Sequence, residues 1–202
     1  MNRRTALPKL LAVTLWGVLT AVPAVSQCSP ELDHLLVALQ NDKTSNDAML
    51  DLISRGKDPE VKKCLAERLP VLLDKYKPRN DGIPDFVWGS EAGVVAELRI
   101  AEAAPALSRR IDMLTSWPMG GSVGYNFHER AADYALIDIG APATPFVIEV
   151  LKHGNTLQRE IAAHVLRYIG TDAAWRALED ALPGEKDPKV RARIQEALNS
   201  RH

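Results

Sequence analysis

The stretch "ERAADYALIDIGAPATPFVIEVL", Glu129 to Leu151, coincides with "REIAAHVLRYIGTDAAWRALEDA", Arg159 to Ala181, when the two are laid over each other with a shift of 30 residues. Ala132 falls on Ala162, Ala135 on Val165, Leu136 on Leu166, Ile139 on Ile169, Gly140 on Gly170, Ala143 on Ala173 and Ile148 on Leu178. Small and large apolar positions recur together at helical spacing, so each copy reads as a helix, a stop and a second helix. Gly140 and Gly170 can enter the left-handed conformation that ends the first helix. The second then folds back antiparallel, and the pair presents an apolar edge to its neighbour.

Outward from this core the pattern continues. "DPKVRARIQEAL" (Asp187 to Leu198) restarts it two residues late, the offset absorbed by "PGEK" at Pro183 to Lys186, and it also matches "DPEVKKCLAERL" (Asp58 to Leu69). With these residues the chain resembles a HEAT-like α-solenoid of the bilin-lyase type, whose repeat reads approximately D-P-x-V-R-x-x-A-x-x-A-L-x-x-I-G-x-P-A. Residues 129 to 200 carry the resemblance clearly and 58 to 76 in part. Residues 91 to 114 carry it only loosely, because "AELRIAEAAPAL" lacks the Ile-Gly pair. The resemblance implies an all-α fold, a short right-handed superhelix of antiparallel helix pairs. It forms one domain over residues 27–202, with its clearest repeats at 127–153, 157–182 and 187–200. Such repeats serve scaffolds, enzyme regulators, lyases and nucleic-acid enzymes alike, so the resemblance names no activity.

The rest of the chain is helical in period, with no sustained apolar/polar alternation of the kind a half-buried strand needs. Ser29-Pro30 and Asp58-Pro59 each place a proline at the first helical position. A helix from about Ser45 to Ser54 lies between them, with Gly56 as its C-cap, and Pro70 is expected to kink or split the helix that starts at Pro59. "KPRNDGIPDFVWGS" (Lys77 to Ser90) reads as a loop, then helix from Glu91 to about Leu114 interrupted at Pro105, then a second loop over 115–126. Helices are expected near 126–139, 143–152, 157–169, 172–182 and 188–200.

The first 26 residues differ from the rest. Arg3, Arg4 and Lys9 precede the apolar run "LLAVTLWGVLTAV" (Leu10 to Val22), and "PAVSQ" supplies small residues for a cut after Ser26, the order of an export signal. The run is shorter than the roughly 20 residues a membrane-spanning helix needs, so no span is expected after cleavage. Removing Arg3, Arg4 and Lys9 takes the 25 Lys and Arg down to 22 against 26 Asp and Glu, a net charge of −4. A basic nucleic-acid-binding face is not expected from that balance. The chain is expected in the periplasm or outside the cell, where Cys28 and Cys64 either bridge or stay as two buried thiols. The oxidising compartment and the even count favour the bridge.

Candidate chemistry is sparse. "GGSVG" (Gly120 to Gly124) spells the nucleophile elbow around Ser122, but that device needs a strand running into a helix, and Pro118 and the absence of strand signals deny it one. "NDGIPD" (Asn80 to Asp85) resembles half a calcium loop, yet Lys77 and Arg79 stand where acidic oxygens belong. Glu160 and His164 share a helix face, with His153, His128 and Glu129 nearby in the repeat, but no third ligand completes a metal site, and no cofactor is expected. Lys186, Lys189, Arg191 and Arg193 read as the polar end that a terminal repeat requires.

The aromatics point elsewhere. The segments 77–90 and 115–127 hold Phe86, Trp88, Trp117, Tyr125 and Phe127. Either the loops fold over the helices and bury these rings, or Trp88, Trp117, Met119 and Tyr125 form an exposed contact for a partner. The expected surface combines that set with Glu149, Lys152, Arg176 and Glu179 on the second helices of the pairs, and its partner is another protein or peptide. The competing classes are an enzyme using the glycine-rich loop or the His/Glu cluster, and a structural subunit of an envelope assembly.

Overall fold

The computed structural model describes residues 28–78, 85–115 and 131–201. Over these residues the protein is all-α, with no strand. The leader with its cut after Ser26, and the loop carrying Trp117, Met119, Ser122 and Tyr125, lie outside the described residues.

The helices are α1 (Pro30–Leu39), α2 (Ser45–Arg55), α3 (Pro59–Lys75), α4 (Phe86–Leu98), α5 (Ala104–Arg109), α6 (Ala131–Ile139), α7 (Thr144–His153), α8 (Thr156–Ile169), α9 (Asp172–Ala181) and α10 (Pro188–Asn199). Their starts have local causes. Asp58 and Asp187 each accept two backbone N–H groups at the head of α3 and α10, with Pro59 and Pro188 in the first turn. The "DPEV" and "DPKV" match is therefore a shared N-cap, which satisfies otherwise orphaned donors. Asn155 and Gln158 form a reciprocal capping box on α8, and the Thr171 hydroxyl accepts from Ala174 N at 3.1 Å to start α9.

Each reversal within a pair needs positive φ. Gly170 sits at φ 65°, ψ 16°, the left-handed cap expected of it, whereas Gly140 has φ 74° but ψ −133° and leads into a 3-10 turn, Ala141–Ala143, before α7. That turn has a counterpart the sequence pattern does not reveal. α4 ends at Arg99 with φ 50°, and a 3-10 turn at Ala101–Ala103 leads into α5. The break in the 91–114 segment is therefore at Arg99 and not at Pro105, which lies in the first turn of α5, where its missing N–H costs nothing. Nor does Pro70 split α3, which runs unbroken for 17 residues.

The first loop is also shorter than its composition suggests. Asp85 caps α4 by accepting from Trp88 N at 3.2 Å, so helix begins at Phe86. Gly89, Ser90, Ala92 and Gly93 are all buried on α4, and such small residues let neighbouring helices approach closely.

Packing follows chain order. α4 packs on α2 and α6, α6 on α8, and α8 on α10, while α5 packs on α3 and α7, and α7 on α9. The equivalent pairs Ala132/Ala162, Ala135/Val165 and Leu136/Leu166 are all fully buried. The equivalence lapses at Ala143/Ala173. Ala143 is buried in its 3-10 turn, but Ala173 is exposed and Ala174 is buried instead, because α9 starts directly from its Thr171 cap. Gly56 keeps a negative φ at the end of α2, and its reason is contact: a Cβ there would collide with the Leu98 side chain. Among the described residues no single helix is long and apolar enough to cross a membrane.

Cys28 and Cys64 are bridged, with Cα atoms 5.7 Å apart, tying the start of α1 to α3 across 36 positions. Restricting the unfolded chain by a loop of that length stabilises the fold by about 3–4 kcal/mol. Reduction, or the C28S/C64S double variant, is expected to lower the melting temperature by roughly 6–15 °C, read by circular dichroism with and without dithiothreitol. An unchanged melt would show that the reduced chain already holds α1 in place.

Candidate functional site

The surface residues expected from sequence lie on two neighbouring second helices, Glu149 and Lys152 on α7 and Arg176 and Glu179 on α9, and all four are exposed. Their pairings differ. Lys152 Nζ donates to Glu149 Oε1 at 3.1 Å, and His153 Nε2 stands 3.6 Å from the other carboxylate oxygen. Glu179 accepts from Arg201 Nη1 at 2.6 Å, and that guanidinium lies 5.6 Å from the centre of the Trp175 ring. Arg176 has no hydrogen-bond or ion-pair partner among the described residues.

Two depressions flank α7, each about 360 Å³, at the lower end of the range for ligand and side-chain sites. One lies against α5, lined by Pro105, Arg109, Phe146 and Glu149 among others. The other lies against α9 and is lined by Ile148, Lys152, Ala173, Arg176 and Ala177. The fold thus brings Lys152 and Arg176 to one groove, puts Glu149 on the adjacent one, and turns Glu179 toward the C-terminal end.

Trp88 does not belong to an exposed set. It is fully buried, its N–H donating to the Leu73 carbonyl at 3.4 Å, so the burial alternative holds for this ring. Its position on α4 rather than in a loop is the reason. Phe86, one helix face away, remains 44% exposed.

Around Trp88 lies a polar junction that the sequence did not single out. Asp85 is 3% and Glu91 1% exposed, and Thr115 is fully buried. The Tyr76 hydroxyl donates to Asp85 Oδ2, Asp85 N donates to the Leu114 carbonyl at 3.3 Å, and Thr115 Oγ1 accepts from Ala131 N at 2.7 Å. Arg110 donates to the carbonyls of Asp74 and Tyr76, at 3.1 and 2.6 Å, covering the end of α3. Glu91 Oε2 is buried with no hydrogen bond. Burial pushes the Glu91 carboxyl up to about 8, with the Asp85 charge adding and Arg110 opposing. Burial, then the bond to Asp85, also holds the Tyr76 phenol well above its ordinary value, which keeps it a donor. Such a cluster joins the ends of α3, α5 and α6 to the head of α4. The acid Glu91 inside the apolar run "GSEAGVVA" (Gly89 to Ala96) was its only sequence signal.

The His/Glu candidates form a different arrangement. Glu160 lies 3.5 Å from Arg193 Nη2, and half-buried His164 sits with its ring centre 4.8 Å from that of Tyr168. Burial, then the Arg193 and Arg167 charges, lowers the His164 pKa, so the imidazole is neutral near pH 7. No group of three or more His, Cys, Asp or Glu side chains is arranged to hold a metal among the described residues. Of the calcium-like stretch only Asp85 is described, and it serves as the α4 cap. Of the basic C-terminal residues, Arg191 donates to the carbonyls of Leu182 and Glu185, and Arg193 pairs with Glu160 and Glu196.

Glu91 sets a pH dependence. Its folded-state pKa stands above the ordinary carboxyl value of 4.5, so its contribution is intact below about pH 4.5 and is lost as pH rises toward 8. At about 1.4 kcal/mol per pH unit, the loss by pH 8 is on the order of a few kcal/mol. Glu91→Gln is therefore expected to match the wild type at pH 4 and exceed it at pH 8 in urea unfolding. Equal stabilities at pH 8 would place the Glu91 proton elsewhere.

No protein-family model matches the chain, and no curated protein matches it.

Proposed function

We propose that the chain is an exported, non-catalytic scaffold of the cell envelope, a short HEAT-like α-solenoid that binds another protein or peptide. The observation that carries this reading is the α7/α9 face, where charged residues rim a shallow apolar groove and Arg176 has no partner among the described residues. The repeat reading is supported by positive φ at the equivalent Gly140 and Gly170 and by the order in which successive helices pack. Short links between antiparallel helices, repeated along a chain, build extended faces of this sort. The loop with Trp117, Met119 and Tyr125 contributes to the contact surface on the strength of its composition. Export is supported by the basic, apolar and small-residue order of the first 26 residues.

Two measurements test it. Mass spectrometry of the chain expressed with its own leader is expected to find Gln27 at the N-terminus and the protein in the envelope fraction; retention of Met1 to Ser26 in the cytoplasm would overturn export. Crosslinking in that compartment is expected to capture a partner that the W117A/Y125A and Arg176→Glu variants lose while keeping their melting temperatures. Labelling of Ser122 by a fluorophosphonate probe would falsify the non-catalytic reading.

A further inference from the structure

We infer that the groove between α7 and α9 receives an extended acidic segment of the partner, with an aspartate or glutamate side chain seated on Arg176 and a neighbouring aliphatic side chain against Ile148 and Ala177. This rests on the scaffold reading above and names the chemistry of its ligand.

The charges of the fold single out this place. Among the described residues every arginine except Arg99 and Arg176 already holds a carboxylate or a backbone carbonyl: Arg109 takes Asp74, Arg159 takes Glu185, and Arg201 takes Glu179. Arg99 ends α4 at its positive-φ turn. Arg176 instead lines a groove, exposed, with Lys152 on the facing helix and Ile148, Ala173 and Ala177 between. A free guanidinium beside apolar surface is complementary to a carboxylate, which it grips with two parallel hydrogen bonds.

The shape selects an extended ligand. Ala173 and Ala177 stand one turn apart on α9, and with only a methyl group each they allow a main chain to lie close while its side chains enter the groove. A helix, about 10–12 Å across, is too wide to enter between packed helices and would ride on the rims. Asp180 also lines the groove, one turn beyond Arg176, exposed and without a partner among the described residues. It repels an acidic side chain, so the ligand's carboxylate belongs at the Arg176 end.

The test is selection of a random ten-residue peptide library, displayed on phage, against the full oxidised chain. The expected consensus is an Asp or Glu beside an aliphatic residue. A fluorescein-labelled selected peptide is expected to bind Arg176→Glu about tenfold or more weakly by anisotropy. Changing the peptide's acid to arginine is expected to restore binding to that variant, and Asp180→Asn is expected to tighten the original pair. Because Arg176 has no partner among the described residues, the variant should melt with the wild type. A consensus without an acid, or peptides that bind Arg176→Glu as tightly as wild type, would overturn the groove assignment. If those peptides are instead lost on Phe146→Ala, the scaffold reading survives and the site moves to the α5 side. A library that yields no binder overturns both.

Discussion

The packing depends on how abruptly the chain can reverse. At Arg99, Gly140 and Gly170 the backbone takes positive φ immediately after a helix, and the next helix begins within a few residues. Links that short restrict where the next helix can go: α9 packs back on α8, whereas α7 bends away from α6 by 112° and packs on α8 and α9. Alternate helices are then neighbours: α4, α6, α8 and α10 in one succession, α3, α5, α7 and α9 in another. Glycine makes such a reversal at no steric cost. Arg99 makes the same reversal with a side chain, at a cost of about 1–2 kcal/mol, and the buried residues on either side, Leu98 and Ile100, hold it there.

That difference explains what could be read from the residues alone. The helices past Ala131 were legible because glycine, caps and apolar spacing agree there, and those between Thr144 and Asn199 fall within a residue or so of expectation. The segment around Arg99 was not, since arginine carries no sign of a left-handed turn, and Pro105 offered a false break. Trp88 was misjudged for a related reason. Its neighbours Asp81, Gly82 and Pro84 have loop composition, whereas a single N-cap at Asp85 decides where helix begins. Cys28 and Cys64 were legible as a pair. The Asp85, Glu91 and Arg110 junction was not, because its members come from separate helices and no periodicity joins them.

Electrostatics divides the molecule into an interior and an exterior problem. Inside, Glu91 is accepted without a hydrogen bond to one of its oxygens and is held protonated by its surroundings. Outside, nearly every arginine among the described residues is held by the chain's own carboxylates and carbonyls, as in the paired contact of Arg159 with Glu185 at 2.9 and 3.1 Å. Among the described residues Arg99 and Arg176 are the arginines left outside that pairing.

The bridge between Cys28 and Cys64 has a topological meaning beyond its free energy. With the intervening backbone it closes a covalent ring that contains all of α1 and α2 and the first residues of α3. A peptide bond cut anywhere in that ring, for instance in the exposed turn 40–44, yields two pieces that remain one molecule. The exposed end of the protein can thus be nicked without being shed, and the helices that follow keep the neighbour against which α4 is packed.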